Sequence, residues 1–284
     1  MIGQERLKST IAHMIAKSRL PRFIILEGDK GSGRKTFAVE GITKELEATF
    51  VEYETGVDSV REMIEQSYRL SIPTVYFIGN ADKMSLAAKN AMLKIVEEPP
   101  NNAYFVVSMQ DRENTLETIR SRAMVLSMDA YSRRELEDYW MAEYPQFTDE
   151  FAEIADYARN IGDLQFFANE FITSSHRVLD FAKTVLENVA TVSGVNALKI
   201  AGYFNLGDEP NKVDVEFFMY VFRVMCFKRM IAHPCTQESE VMAQWVRITA
   251  STSRMLRTQG MTVLPILDMW LFDLRKAAND CADR

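Results

Sequence analysis

The chain has 284 residues and a mass of 32.5 kDa, enough for a sizeable core and for two or three domains. Hydrophobic residues make up 47% and charged residues 26%, an ordinary globular composition that excludes a disordered or fibrous chain. A formal net charge of −7 and a pI near 5.2 argue against the whole chain being a strong non-specific nucleic-acid binder. Any DNA contact would have to be a focused basic face or be shared with more basic partners.

In chain order, a helical pattern over 5–18 is followed by a short apolar run at 22–27 that ends in glycines, as a strand buried on both faces does. A second helix is predicted over 34–46 and a candidate strand over 48–53. A helix over 59–70 leads to an apolar strand at 74–79. The next helix, 85–98, is stopped by Pro99 and Pro100, and further strands are predicted at 103–108 and 124–127. Strands alternating with helices imply a parallel α/β sheet covered on both faces. From Ser132 onward the pattern is almost wholly helical, with helices expected over 132–144, 149–160 and 164–173. Longer apolar-periodic segments follow around 176–190, 193–205, 213–232, 238–257 and 261–280. Breaks at Pro145, Gly162 and Asp208-Glu209-Pro210 separate these helices. Phe217, Phe218, Tyr220, Phe222, Trp245 and Trp270 are candidate core residues.

The richest apolar run, 217–227, is interrupted by Arg223, and none approaches the roughly 18 residues of a membrane span. The first residues, Met1-Ile2-Gly3-Gln4-Glu5-Arg6, lack the basic and apolar regions of a signal peptide, so a cytoplasmic protein without membrane contact is expected. Cys226, Cys235 and Cys281 form no CxxC pair, and His13, His176 and His233 stand far apart. Neither a disulfide framework nor a metal site is encoded.

Directly after the first strong strand comes Gly28-Asp29-Lys30-Gly31-Ser32-Gly33-Arg34-Lys35-Thr36, opening a helix. This is nearly the phosphate-binding pattern G-x-x-x-x-G-K-[ST], in the strand–loop–helix setting where that pattern has meaning. Gly28, Gly31, Ser32 and Gly33 permit a tight loop with inward amides, and the helix N-terminus adds positive potential. The end of the motif departs from the pattern. Arg34 stands where the lysine should reach the phosphates, and Lys35 stands where a hydroxyl should hold magnesium, with Thr36 one position late. One residue is about 100° of helical rotation, so neither can slide into the missing role. At the end of the strand 74–79, where Asp-Glu would supply a metal ligand and a water-activating carboxylate, the chain has Gly79-Asn80. Asp82 lies two residues on, as a loop or helix cap. Two independent lesions in one site argue against ATP turnover by this chain alone; nucleotide binding without turnover, or an empty loop kept for the fold, both stay open.

At this point the chain resembles the AAA+ clamp-loader subunits, most like the bacterial DNA polymerase III delta-prime subunit or a small subunit of replication factor C, with both nucleotide motifs degenerate. Ile2-Gly3-Gln4-Glu5 looks like the family's entry motif, and Gly79-Asn80-Ala81-Asp82-Lys83-Met84 sits where the family has Asp-Glu-Ala-Asp, a basic residue and Met. The most specific match is Asn90-Ala91-Met92-Leu93-Lys94-Ile95-Val96-Glu97-Glu98-Pro99-Pro100. Thr118-Ile119-Arg120-Ser121-Arg122-Ala123 sits where the family has its Ser-Arg-Cys motif, with Ala123 for Cys. Gln165 replaces the sensor-2 arginine, and the zinc module of many delta-prime chains is absent.

The resemblance implies an AAA+ α/β domain over 1–128, a helical lid over 129–175 and an all-helical collar over 176–284. It implies a non-hydrolysing subunit of a hetero-pentameric sliding-clamp loader, in which Ser121-Arg122 supplies an arginine finger in trans to a neighbouring ATPase subunit. Other AAA+ subunits, a sliding clamp and primer-template DNA would be the partners, with Lys83, Lys89 and Lys94 as candidate DNA contacts. No cofactor is required on this reading, and ATP or ADP binding is left open. The alternatives are an active P-loop ATPase acting on DNA through Arg34, or a non-catalytic AAA+ adaptor outside replication.

Overall fold

A computed structural model describes residues 1–173, 178–189, 212–257 and 262–282. The helix expected over 193–205 and His176 lie outside the described residues. The chain divides into two compact units, Met1–Ala168 and Asn169–Arg284.

The first unit is built on five parallel strands: β1 (Phe23–Glu27), β2 (Thr49–Tyr53), β3 (Thr74–Ile78), β4 (Ala103–Met109) and β5 (Met124–Ser127). Their order across the sheet is β2-β3-β4-β1-β5, so all five predicted strands are present and the α/β fold class holds. β1 pairs in parallel with both β4 and β5, with Ile24 level with Val106 on one side and Met124 on the other. Because successive side chains point to opposite faces, its apolar run feeds two cores. Ile24 and Leu26 pack with Leu7 and Ile11 of α1 (Glu5–Ala16) and with Phe37 and Ile42. Phe23 and Ile25 pack on the other face with Val60 and Met63 of α3 (Val57–Ser67) and Met92 and Ile95 of α4 (Leu86–Glu97). Ser85 caps α4 by accepting the Ala88 N–H at 3.2 Å, and the helix stops two residues before Pro99.

Two elements differ from the sequence expectation. The helix predicted over 34–46 is α-helical only at α2 (Arg34–Thr36) and then widens into a π-helix, Phe37–Thr43. Thr43 Oγ1 donates to the Ala38 carbonyl at 2.7 Å and the Lys44 N–H to that of Val39 at 3.1 Å, both five residues back. The Phe37 ring lies over Gly41, where a Cβ would come within 2.9 Å of it, so the glycine makes room for the ring on the wide turn. The helix expected over 149–160 shrinks to one turn, α7 (Phe151–Ile154), and α8 (Ile161–Thr173) begins before Gly162 instead of after it. Asn160 explains this start, since its Oδ1 accepts the Asp163 N–H at 3.1 Å as a cap. Earlier in the chain, α5 (Glu117–Arg120) precedes β5, and α6 (Arg133–Glu143) follows it with a Ser132–Glu135 capping box.

The described residues of the second unit are helical: α9 (Val178–Asn188), and three long helices, Lys212–Ala232, Gln237–Arg257 and Val263–Ala282. Trp270 meets Phe218 and Phe222 edge-on, with centroids 5.7 and 5.1 Å away. Its indole N–H is satisfied by Thr249 Oγ1 at 2.9 Å, and that of Trp245 by the Leu274 carbonyl at 2.8 Å. Among the described residues no helix is long and apolar enough to cross a membrane, and no cluster of His, Cys, Asp or Glu is placed to hold a metal ion.

All three cysteines are free thiols, with Cys226 and Cys281 buried and Cys235 exposed. Burial pushes the Cys226 thiol up to about 12, so it stays protonated at any physiological pH. Alkylation of the native protein at pH 8, read by peptide mass spectrometry, is expected to label Cys235 alone. Cys226 and Cys281 should react only after denaturation.

Candidate functional site

In a parallel sheet all strand C-termini lie along one edge, and the connections leaving them meet there. The segments after β1, β3 and β4 build a cavity of about 550 Å³ at that edge. Gly31, Gly33, Arg34, Lys35 and Thr36 line it from the phosphate loop, Gly79 and Asn80 from the end of β3, and Ser108 from β4. Tyr131, Tyr139, Glu143, Ile161 and Gln165 close it from segments beyond β5. Gly28 and Ser32 complete the loop itself; Gly28 N–H is bonded to the Met109 carbonyl at 3.1 Å.

The loop is fastened by three consecutive carbonyls. Lys30 O accepts from Asn160 Nδ2 at 3.1 Å, Gly31 O from the Gly162 N–H at 3.1 Å, and Ser32 O from the Tyr131 hydroxyl at 3.1 Å. The two backbones touch at Gly31 and Gly162. A Cβ on Gly31, which has φ +85°, would lie 2.7 Å from Gly162 Cα, and one on Gly162 would fall closer still to Gly31 Cα. Glycine is required at both positions because backbone faces backbone. Asn160 and Tyr131 carry this contact yet belong to no phosphate-loop motif. An Asn just ahead of an apolar-periodic helix is a cap signal that would have located the first of them.

The basic residues of the loop go in different directions. Arg34 is only 7% exposed, and its Nη1 has no hydrogen-bond partner. Burial pulls the guanidinium below its ordinary value, while the charges of Asp82 and Asp29 oppose that shift; an arginine so placed remains a cation. Lys35 pairs through its ammonium with Glu52 of the edge strand β2 at 2.5 Å, and both residues line the cavity. At the β3 end, Asn80 adopts φ 52° and its N–H is bonded to Ser108 Oγ at 3.3 Å. Asp82 accepts the Gln110 N–H at 2.9 Å and the Asp111 N–H at 3.3 Å, which commits it to holding the loop after β4. A Cβ at Gly79 would meet only the Phe77 ring edge, at 3.5 Å, so a larger residue fits there sterically. Gln165 Nε2 donates to the Tyr139 hydroxyl at 3.2 Å. The cavity thus holds a buried cation, Arg34, while Lys35 stands at the motif position of the hydroxyl and Gly79 and Asn80 at those of the strand-end carboxylates.

Ser121 and Arg122 lie elsewhere. They precede β5, at the N-terminal edge of the sheet, and β1 alone separates that edge from the loop by five residues, roughly 16 Å. Both are exposed. Arg122 Nη1 donates to the Thr118 carbonyl at 3.2 Å and Nη2 is 3.4 Å from Glu97 Oε1. Of the three lysines, Lys83 is exposed beside the β3 end, Lys89 Nζ donates to the Asn114 carbonyl, and Lys94 Nζ sits 5.6 Å from the Tyr68 ring centre.

A five-stranded parallel sheet with a glycine-rich loop after β1, the strand between β4 and the edge strand β5, fits the arrangement that the resemblance to AAA+ subunits implies. The backbone matches a DNA polymerase III gamma subunit-related protein of Thermotoga maritima with a TM-score of 0.55 at 17% identity, over 95% of this chain and 99% of that one. It matches the Thermotoga maritima RuvB Holliday junction branch migration motor with a TM-score of 0.51 at 19% identity, over 94% and 87%. These likenesses establish the fold. The family described as DNA polymerase III, delta subunit matches residues 47–132. The Escherichia coli DNA polymerase III subunit delta-prime is 40% identical over 70 residues, 24% of this chain and 21% of that protein. The DNA polymerase III subunit gamma of Buchnera aphidicola is 26% identical over 166 residues, 48% of this chain and 46% of that protein, so the chain spans about half the length of this curated relative. Over part of its length the chain is similar to DNA polymerase III subunits of the gamma and delta-prime kind, and it shares its fold with the two Thermotoga maritima structures.

The Gly31–Gly162 contact gives a direct test. Gly162→Ala forces backbone apart from backbone, and a loss of about 1–3 kcal/mol is expected in a denaturant titration. Alanine at the solvent-exposed Gly56, where a Cβ meets nothing within 4 Å, should leave the midpoint nearly unchanged.

Proposed function

We propose that this chain is a non-hydrolysing, delta-prime-like subunit of a sliding-clamp loader in DNA replication, working in a ring with other AAA+ subunits. The observation that carries the reading is an asymmetry. The chain's own site lacks the groups for turnover, with Gly79 and Asn80 at the strand end and Lys35 paired to Glu52. Its exposed Arg122 faces away from that site, at the opposite edge of the sheet. An arginine there has no phosphate of its own chain to serve. On this reading it enters the nucleotide site of a neighbour, where a guanidinium stabilises charge on the transferred phosphoryl group.

On this reading the segments 129–175 and 176–284 act as lid and collar, the collar joining neighbouring subunits. The complex would open a clamp and place it on primer-template DNA. Lys83, Lys89 and Lys94 would contribute salt-dependent, sequence-blind contacts to phosphates, with Lys83 the least committed to its own chain. No nucleotide is required for this role. The three fastened carbonyls of the loop support a bracing function, since they hold loop and lid segment together without a ligand.

The test is made on the complex that this chain purifies with. Native mass spectrometry should find a mixed assembly containing subunits with complete phosphate loops; a monomer or homo-oligomer would leave Arg122 with no site to serve and would remove the assignment. Within that complex, Arg122→Ala should leave assembly intact and abolish the contribution of the one site it serves, where a finger is worth about 10³–10⁵ in rate. Unchanged DNA- and clamp-stimulated ATPase would refute the finger. Arg34→Lys in the isolated chain should yield no hydrolysis, because Gly79 and Asn80 remain; turnover from that single change, followed as phosphate release, would show that the strand-end lesion is not disabling.

A further inference from the structure

Arg122 does not stand free in its exposed position. Both terminal nitrogens of its guanidinium are engaged by its own chain, Nη1 by the Thr118 carbonyl at 3.2 Å and Nη2 by Glu97 Oε1 at 3.4 Å. Glu97 is the last residue of α4, where the helix presents its negative end. A carboxylate there is unfavourable to the helix that carries it. What offsets that cost at this spot is the cation opposite, so the placement of Glu97 makes sense through Arg122 and not through α4. The pair is open to water, the two side chains being 45% and 56% exposed, so it is weak and easily opened.

From this geometry we infer that Glu97 is a positioning residue that holds Arg122 folded back on the end of α4 until a phosphate group of an adjacent subunit displaces it. The inference rests on the proposed trans role of Arg122 and adds to it a condition for engagement. An incoming phosphate carries negative charge to within a few ångströms of the Glu97 carboxylate. Like charges so close repel, and the guanidinium cannot present its fork to the phosphate while the carboxylate holds Nη2. Binding therefore exchanges one anion for another at the same cation. The exchange is inexpensive because the pair is solvated, yet it makes the arginine available only to a partner that brings a stronger, bidentate acceptor. The Thr118 carbonyl, being neutral, can stay bonded to Nη1 throughout and keeps the side chain on its own turn.

The experiment uses the purified heteromeric complex, with steady-state ATPase measured as a function of ATP for the wild type, Glu97→Gln, Arg122→Ala and the double variant. Glu97→Gln keeps the size and removes the charge. The expected result is a KM for ATP lowered by about two- to five-fold, the range an exposed pair of this kind supports, with kcat not reduced. The double variant should match Arg122→Ala, since without the arginine there is nothing to hold. A lower kcat in Glu97→Gln would mean that the carboxylate orients the arginine productively and would overturn the inference. An unchanged KM, or an equal shift in the Arg122→Ala background, would overturn it as well. If Arg122→Ala itself leaves the ATPase unchanged, the trans role fails first, and the two failures are told apart by that single variant.

Discussion

The hydrogen bonding of β1 on both of its sides, to β4 and β5 and always in parallel, is the constraint from which the rest of the first unit follows. Parallel pairing sends every strand C-terminus to one edge and every N-terminus to the other. The phosphate loop, the Gly79-Asn80 turn and Ser108 must therefore meet, and Ser121, Arg122 and Glu97 must sit a strand length away from them. No rearrangement of side chains could undo that separation. It would take a different strand order, and strand order is held by two cores at once, because alternate residues of β1 are committed to opposite faces.

Within that frame the loop is held by its carbonyls rather than by a ligand. Residues 30–32 offer three acceptors in a row, and an amide, a backbone N–H and a phenol each take one. A loop whose carbonyls are held in this way has a defined shape of its own. The side chain left worst off is Arg34. It is desolvated, its Nη1 has no partner, and Asp29 and Asp82 act on it only through their fields. A buried donor without an acceptor costs free energy that the surroundings must supply, and here the surroundings are the tight Gly31–Gly162 contact and the tied loop after β4. A buried cation and a strand end without carboxylates thus sit side by side in the same few residues.

The strands were legible because each is a short apolar run bounded by turn residues, and helix ends were legible where chemistry marks them, as at Pro99-Pro100 and the Ser132–Glu135 capping box. The π-helix was not. Its sequence keeps helical spacing, and the wide turn shows only in the five-residue hydrogen bonds and the packing of the Phe37 ring over Gly41. The 149–160 helix failed for a related reason: its residues are helix-compatible, but Asn160 spends both ends of its amide on Lys30 O and the Asp163 N–H, and so begins a new helix. Gly162 reads as a break by its identity, and in the fold it is the point where two backbones meet.

By itself the sequence determined which chemical groups exist and in what local order: a glycine loop after an apolar strand, an arginine where a lysine is expected, and no carboxylate at positions 79 and 80. Such facts are local, since a missing functional group is missing in any fold. Only the tertiary structure decided where the charged side chains go. Lys35 pairs with Glu52 of β2, three strands away in the sheet from the β1 that leads into its loop, Asp82 is tied to the turn after β4, and Arg122 meets Glu97 because α4 ends at the edge where β5 begins. Those pairings join residues 17 to 28 positions apart along the chain, and their geometry is set by strand order, which no local pattern encodes.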